Sequence, residues 1–374
     1  MVNVMSFIQD FLVGFGFYIQ RASTSNFEWK KVGSSVPDGG GNQSLAIKII
    51  DFHKKFGLFY ENIPLRKELQ IAGAWREDLI QRRSLQNKIY VDGNPQDVAK
   101  FHENMFFNEL ISGLWNYGYV DKDPKISKIS VNMLFSDYFE YKKIYPSDLF
   151  ISTKPSLPYW GFGEEVITPV DVWHSVQAHA VNDLHSLISK INGNKNLSFI
   201  EVGSGFGGLA EKLGKANIFD RFLLVDIPHN LVTAYYYLSQ SFGEDVVELI
   251  TSDEHLMRCL KNPLSKFILI PSSLAEALSS LEGDYIFGNF GSFSEMDYQT
   301  VEFYLNQLPP RVLGVAQINS NSPTINTSSH LEVISDDFPF RSDFLKVYAG
   351  KPCSSSSSGG RYKISLHIKD KFWI

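Results

Sequence analysis

Short apolar runs alternate with helical stretches through the second half of this chain, and this alternation is the strongest constraint on its fold. The runs predict six strands, at residues 198–202, 222–226, 246–250, 267–270, 285–289 and 312–318. Such uniformly apolar strands are typical of a parallel sheet covered by helices on both faces. Two further strands, at 344–349 and 362–368, are separated only by a serine-rich loop. They predict an antiparallel hairpin at the C-terminal end of the sheet.

The first half of the chain has a different pattern. Between residues 44 and 118, apolar residues recur at three- and four-residue spacing, which predicts helices. Residues 146–169 are rich in Pro, Gly and aromatic residues and predict a long loop, followed by a helix at 170–191. With 374 residues, we expect a mainly helical accessory region on the acceptor side at 1–165, and an α/β domain at 166–374.

Composition limits the partners and the compartment. A net charge of −6 argues against a dedicated nucleic-acid-binding protein. The two cysteines, Cys259 and Cys353, predict free thiols and a cytoplasmic protein. The apolar run at 11–19 is too short to span a membrane. We expect it to dock on the protein, with peripheral membrane contact as the alternative. Homo-oligomerisation is left open.

A glycine-rich turn follows the first predicted strand of the α/β domain. In FIEVGSGFGGLAEKL, the strand leads into Gly203, Gly205, Gly207 and Gly208, and a helix follows. Glycine permits a sharp turn and close approach of a ligand, and the helix N-terminus offers free amides. The segment therefore predicts a cofactor-binding turn. Because these residues also satisfy G-x-G-x-x-G, the glycines alone do not separate S-adenosylmethionine from a dinucleotide.

Two acidic residues favour S-adenosylmethionine. Asp226 ends the next strand, where a carboxylate can bind both ribose hydroxyls of an adenosine cofactor. Glu201 lies two residues before the first glycine, where dehydrogenases generally have an apolar residue. Its carboxylate can hold water or the cationic amino group of the methionine moiety; the alternative is that the loop backbone satisfies it. The sequence shows no second nucleotide-binding half.

These segments resemble a known family. The run at 199–213, FLLVDIPHNLVTAYYYLSQ and DYIFGNFGSFSEM are together similar to the bacterial sugar O-methyltransferases, a branch of the class I S-adenosylmethionine-dependent methyltransferases. The resemblance covers about residues 161–310. Its motif residues are Asp226, Pro228, Asn289, Ser292, Glu295 and Met296. It implies a Rossmann-like sheet, S-adenosylmethionine as cofactor, and methylation of a sugar hydroxyl in polysaccharide or glycoconjugate biosynthesis.

Methyl transfer to a sugar hydroxyl needs a general base, because the hydroxyl is very weakly acidic. The C-terminal ends of the strands surround the reacting methyl group in this fold. Asn289 is therefore predicted to bind the acceptor or the methionine moiety, and Glu295 to act as base or to bind sugar hydroxyls. An N-terminal cap of the next helix is the alternative for Glu295.

Histidines of the helix at 170–191 are the other candidates for the base. His174 and His179 lie in this helix, although each could simply be packed. His229 should lie near the ribose.

Residues that follow two other strands could reach the adenine. These are Asp253 after one strand, and Ser272 and Ser273 after the other.

A metal site is not predicted. The triplet Asp253-Glu254-His255 contains ligand residue types, but neighbours on a helix point in different directions.

Two other functions compete with methyl transfer. An NAD(P)-dependent oxidoreductase could use the same glycine turn. A methyltransferase-like domain could also serve as a non-catalytic binding module.

Overall fold

The computed structural model describes residues 30–32, 42–56, 84–103, 138–139, 141–145, 159–162, 165–167, 171–193, 196–321, 333–350 and 362–370. These residues form an eight-stranded sheet with helices on both faces and a separate three-stranded sheet. The predicted fold class is confirmed. It is a mostly parallel, Rossmann-like sheet with antiparallel strands at its C-terminal end and a helical N-terminal region.

The elements follow one another in an order that divides the chain in two. The N-terminal elements are β1 (Lys30–Val32), α1 (Gln43–Phe56), α2 (Ser84–Asp92), α3 (Pro95–Glu103), β2 (Tyr159–Phe162) and β3 (Glu165–Ile167). The first half of the large sheet is built from α4 (Asp171–Asn192), β4 (Ser198–Val202), α5 (Gly208–Lys215), β5 (Arg221–Asp226), α6 (Pro228–Phe242) and β6 (Val247–Leu249). The remainder comprises α7 (Asp253–Lys261), β7 (Phe267–Pro271), β8 (Tyr285–Phe290), α8 (Tyr298–Asn306), β9 (Val312–Ser320), β10 (Phe344–Gly350) and β11 (Tyr362–Lys369).

The order of strands in the large sheet is β10-β11-β9-β8-β4-β5-β7-β6. Strands β4 to β9 are parallel, and β11 pairs antiparallel with both β9 and β10. All eight predicted strands are present, with ends within two residues of those predicted. The strands that directly follow β4 in the chain, β5, β6 and β7, lie on one side of it in the sheet. The later strands, from β8 onward, lie on its other side. The C-terminal ends of β4 and β8 therefore flank the crevice where such sheets bind ligands.

Two hydrophobic layers hold the helices to the sheet. Side chains of a strand alternate between its faces, so Phe199 packs with α4, α5 and α6, whereas Ile200 packs on the opposite face with α7 and α8. Both side chains are fully buried. Complete burial of a side chain of this kind contributes about 1.5–3 kcal/mol. Both faces of the central strands are therefore shielded from water, which explains why these strands are largely apolar.

The described accessory helices lie on α6. Leu45, Ile49 and Phe52 of α1 belong to the same hydrophobic cluster as α6. Two polar contacts also hold α1: Lys48 pairs with Glu244, and Lys55 Nζ donates to Thr251 O at 2.8 Å. Helices α1–α3 therefore cover the side of the sheet that contains β5, β7 and β6.

A second described part of the N-terminal region lies elsewhere. Tyr138 and Tyr141 form a cluster with Val176 of α4, Ile318 of β9 and Ile364 of β11. The region predicted to lie on the acceptor side thus contributes to both halves of the sheet. The boundary predicted after residue 165 falls inside β3.

The prediction of a loop at 146–169 was wrong. It contains β2 and β3, which pair with each other and, through β2, with β1. The tetrapeptide of β2, YWGF, has three aromatic residues, and their strong strand propensity outweighs the glycine. The helical patterns at 57–83 and 104–118 and the apolar run at 11–19 lie outside the described residues. Of the helices that the structure describes, none is long and apolar enough to cross a membrane.

Candidate functional site

The glycine turn joins β4 to α5 at the C-terminal edge of the sheet. Gly203, Gly205 and Gly207 have φ angles of +78°, +56° and +85°, a region that L side chains rarely adopt. Gly203 N donates to Val225 O at 2.8 Å, and Gly207 N donates to Ser204 O at 3.0 Å. The predicted turn is therefore present, and α5 begins directly after it.

The surroundings of these glycines differ. A Cβ at Gly203 would lie 2.1 Å from Ser292 Oγ, and one at Gly207 would lie 3.0 Å from Leu238. A Cβ at Gly205 would have no atom within 4 Å. Gly203 and Gly207 are thus needed for packing within the protein. Among the glycines of the turn, only Gly205 has open space at its Cβ position, which a ligand can enter.

Asp226 binds the turn from the neighbouring strand. Its Oδ2 accepts a hydrogen bond from Gly205 N at 2.7 Å. Its Oδ1 accepts from Ile227 N at 2.7 Å and from Asn230 Nδ2 at 2.9 Å. The carboxylate predicted to hold the ribose is therefore also the group that fixes the bend at Gly205.

Glu201 carries a buried carboxylate at the start of the turn. It is 3% exposed, and its Oε2 has no hydrogen-bond partner among the described residues. Burial, together with the nearby charge of Asp226, raises its pKa to about 8. A buried, unpaired carboxylate is costly. Ser204 Oγ, two residues beyond the strand, is likewise buried without a partner in the described structure.

Asn289 lies at the end of β8 and is fully buried. Its Nδ2 donates to Val202 O at 2.8 Å and to Ser292 Oγ at 2.6 Å. Its Oδ1 accepts from Phe293 N at 3.1 Å and from Asn319 Nδ2 at 2.9 Å. Two donors and two acceptor sites are the whole capacity of an asparagine side chain. Protein groups therefore fill all the hydrogen-bonding positions of the Asn289 side chain. This geometry indicates that Asn289 positions the glycine turn rather than binding a ligand.

Glu295 follows Asn289 in a short 3-10 turn, Phe293–Glu295, and is half-buried. Its backbone N donates to Ser292 O at 3.1 Å. The N-cap residue of α8 is Asp297, so Glu295 does not occupy the capping position considered from the sequence. It lies beyond the C-terminal end of β8, beside the crevice.

The structure separates the candidate histidines. The His174 ring would contact a Cβ at Gly208 and lies 5.4 Å from the Phe206 ring, between centroids. His179, five residues further along α4, stacks on Tyr145 with a centroid distance of 3.7 Å. Five residues turn a helix by about 140°, which explains the different directions. Only His174 lies against the glycine turn.

His229 packs against an accessory helix. It is 3% exposed, and its ring lies 5.4 Å from that of His53 of α1. It is therefore covered by the accessory helices.

The order of the strands also distinguishes the two sets of residues that were candidates for contacting the adenine. Pro271 of β7 pairs with Asp226 in the parallel register, so Ser272 follows the strand next to Asp226. Asp253 follows β6, one strand further out, and is exposed. This placement favours Ser272.

Three residues of the site were not predicted in these roles. Asn230 fixes Asp226, Ser292 donates to Val202 O at 3.0 Å and fills the space beside Gly203, and Asn319 binds Asn289. The four-residue spacing of Asp226 and Asn230 on a helix start was a usable signal. The contact of Asn319 depends on strand pairing and has no local signature.

Comparisons with known proteins found similar solved structures only. No family model and no curated protein matches the sequence. Similar solved structures include a Galdieria sulphuraria protein assigned as a sarcosine dimethylglycine methyltransferase, with 11% identity and a TM-score of 0.38, covering 63% of this chain and 98% of that one.

Two further structures have comparable similarity. A Leishmania major S-adenosylmethionine-dependent methyltransferase is 12% identical, with a TM-score of 0.36, covering 54% of this chain and 74% of that one. Mitomycin 7-O-methyltransferase is 11% identical, with a TM-score of 0.35, covering 87% and 73%. Because these scores are low, the assignments below rest on the residues of this chain.

Proposed function

We propose that the chain is an S-adenosylmethionine-dependent O-methyltransferase that acts on a sugar hydroxyl. The observation that carries the cofactor assignment is Glu201 Oε2, a buried carboxylate oxygen with no partner among the described residues, beside a glycine turn. A cationic ligand group would remove the cost of this burial. The amino group of the methionine moiety is such a cation, and the open side of Gly205 provides space for the rest of the cofactor.

The same observation weighs against a dinucleotide. A pyrophosphate is anionic and would favour the protonated form of Glu201, so the buried Oε2 would remain without a cationic partner. The pair Glu201 and Asp226 already raises the pKa of Glu201 to about 8 through burial and like charge. A second negative charge would add to this cost, whereas a cation offsets it.

The acceptor assignment rests on the resemblance, with Asn289, Ser292, Glu295 and Met296 as its motif. S-adenosylmethionine supplies an electrophilic methyl group when it is bound. The chain then has to align the acceptor hydroxyl and remove its proton. We assign proton removal to a ring nitrogen of His174, because its ring lies at the glycine turn, and acceptor binding to Glu295. Alignment supplies much of the rate enhancement in a displacement of this kind.

The proposed cellular setting rests on the same family resemblance as the acceptor. We propose that the enzyme modifies a polysaccharide or glycoconjugate precursor in the cytoplasm.

Melting temperatures in the presence of S-adenosylhomocysteine or NADH test the cofactor assignment. A ligand of the native state stabilises it by about 2.7 kcal/mol at 100 times its dissociation constant. We expect S-adenosylhomocysteine to raise the melting temperature and NADH to leave it unchanged. A rise with NADH alone would establish the oxidoreductase instead.

Label transfer tests catalysis. We expect methyl-tritiated S-adenosylmethionine to label a glycolipid or polysaccharide extract when the protein is present. Cofactor binding without transfer to any such extract would favour the non-catalytic binding module.

A further inference from the structure

A second group of chemically reactive side chains lies away from the glycine turn, at the outer edge of the sheet. Glu248 of the edge strand β6 faces His255 and Cys259 of α7, and one potential ligand atom from each lies within 4.8 Å of the others. The distance between His255 Nε2 and Glu248 Oε2 is 3.8 Å. His255 and Cys259 are one helical turn apart, so they project from the same face of α7.

This group differs from the triplet rejected on sequence grounds. Asp253 and Glu254 are exposed, and neither belongs to the group. His255 instead meets a residue from the preceding strand and a cysteine that is 4% exposed. The side chains of Glu248 and His255 are 30% and 22% exposed. The group is thus open to solvent on one side and closed by the protein on the other, which gives an ion a path of entry.

Surrounding residues hold the three side chains in place. Ser265 Oγ lies 3.4 Å from Glu248 Oε1 and also hydrogen-bonds with Cys259. Thr251 Oγ1 lies 3.3 Å from His255 Nδ1. Contacts of this kind from the outer shell orient metal ligands and fix the tautomer of a histidine. Arg221 is close by, but its guanidinium donates to the carbonyl oxygens of Leu260, Asn262 and Ser265.

The set of ligand types selects the ion. Thiolate, imidazole and carboxylate together are typical of Zn²⁺, which binds all three at about 2.0–2.3 Å. Mg²⁺ and Ca²⁺ prefer oxygen ligands alone. Three protein ligands leave one tetrahedral position for water.

We propose that Glu248, His255 and Cys259 form a zinc site that joins β6 to α7 at the edge of the sheet. Binding replaces the S–H bond of Cys259 with an S–Zn bond and releases one proton to solvent. The imidazole stays neutral. In the free protein Thr251 N donates to Nδ1 at 3.3 Å. When Nε2 binds the ion, the imidazole proton moves to Nδ1, and Thr251 Oγ1 accepts it in place of that bond.

Because the thiolate binds the ion and its proton is released, zinc affinity should increase with pH. The site is independent of the methyltransferase assignment.

Zinc and cobalt titrations of the tag-free, metal-free chain test the proposal. We expect one Zn²⁺ per chain in competition with a fluorescent zinc indicator, and a thiolate-to-metal charge-transfer band with Co²⁺. Cys259→Ser should remove the band, and His255→Asn should weaken zinc binding at least tenfold. Thr251→Val should weaken it about 10-fold, as outer-shell changes do.

Two control variants complete the design. Cys353→Ser removes the other cysteine, and Glu254→Gln removes an exposed acid next to His255; both should bind zinc like the wild type. Retention of the band in Cys259→Ser, or its loss in Cys353→Ser, would overturn the proposal. If the substituted chains do not fold, the wild type decides: a band that saturates at one equivalent of Co²⁺ supports the site, and its absence rejects it.

Discussion

Gly205 N donates a 2.7 Å hydrogen bond to Asp226 Oδ2, and this bond ties the glycine turn after β4 to the end of β5. The same carboxylate accepts from Ile227 N and Asn230 Nδ2. The neighbouring strands β4 and β5 are thereby tied together at their C-terminal ends. The bend at Gly205 is preorganised before any ligand binds.

Substitution of Asp226 by Asn should loosen the turn. The new amide group must direct its NH2 either towards Gly205 N or towards Ile227 N and Asn230, so at least one buried donor loses its acceptor. Such a loss costs about 1–3 kcal/mol. Urea denaturation should show this decrease in the free energy of unfolding, and calorimetry should show weaker S-adenosylhomocysteine binding. Unchanged values for both would mean that the bond has no role in the turn.

Gly205→Val should separate binding from folding. No atom lies within 4 Å of the added Cβ, so the side chain enters the proposed cofactor space, although a φ of +56° strains a branched residue. We expect a folded protein with no measurable S-adenosylhomocysteine binding in calorimetry.

Gly193→Val is the matched control for this variant. Gly193 also has a positive φ, +67°, and open space around its Cβ position, but it lies at the end of α4. It should lose similar stability and keep its cofactor affinity. Equal binding losses in the two variants would show that strain, not occupation of the site, weakens binding at Gly205.

His174→Gln should slow methyl transfer and alter its pH dependence at saturating S-adenosylmethionine, where ionisation of Glu201 no longer limits the rate. Loss of a general base typically lowers the rate about 10²–10⁴-fold, while S-adenosylhomocysteine affinity should remain close to that of the wild type. Label transfer to a glycoconjugate extract measures the rate across pH 5–9. His179→Gln is the control, because His179 stacks on Tyr145 away from the turn.

Glu295→Gln distinguishes the two candidate bases. We expect slower methyl transfer with the wild-type pH profile, as befits an acceptor-binding group, and unchanged cofactor affinity. Loss of the pH dependence in Glu295→Gln, with its retention in His174→Gln, would transfer the role of base to Glu295. Full turnover in Glu295→Gln would leave it a structural role only.

Acid should destabilise the accessory helices through His102. This residue of α3 is fully buried, with Nε2 3.0 Å from Tyr90 Oη, and burial lowers its pKa to about 3. Because the folded pKa lies below the ordinary 6.5, the neutral form supports folding above pH 6.5. This stability is lost as the pH falls from about 6.5 towards 3.

Thermal unfolding between pH 7.5 and 4 measures the effect of His102. One such group contributes a slope of up to about 1.4 kcal/mol per pH unit. His102→Phe should show a correspondingly smaller change over this range. An identical pH dependence in the variant would mean that His102 is not the group responsible.

The sequence predicted the parallel part of the large sheet well because β4, β5, β7, β8 and β9 are buried on both faces and therefore largely apolar. The 285–289 run, for example, became β8 with one added residue. The small sheet was missed because β2 and β3 are only four and three residues long. They lie in a segment whose glycine and proline content predicts a loop.

The site was predictable where its signal is local and unpredictable where it depends on strand order. The glycines and Glu201 are recognisable from a few residues of sequence. The choice between Ser272 and Asp253 required knowing that β7, and not β6, pairs with β5. Seeing that all the hydrogen-bonding positions of Asn289 are filled required the position of Asn319, thirty residues further along the chain. No short-range pattern contains either fact.

The state of Glu201 also has a consequence for stability. Its folded pKa of about 8 exceeds the ordinary value of 4.5, so the folded chain retains a proton that the unfolded chain loses. The stabilisation is complete below pH 4.5 and is lost as the pH rises to about 8. Glu201→Gln should remove this decline, whereas Glu211→Gln, at a buried acid paired with Lys215, should not.

Calorimetric titration of S-adenosylhomocysteine into the wild type and Glu201→Gln, at pH 7 in buffers of different ionisation enthalpy, tests the central claim most directly. If the amino group of the ligand binds Glu201, the carboxyl ionises on binding. The wild type should then release up to one proton per ligand, and Glu201→Gln should release none and bind at least about tenfold more weakly, or about 1.4 kcal/mol. Equal affinity and equal proton release in the two proteins would contradict the claim.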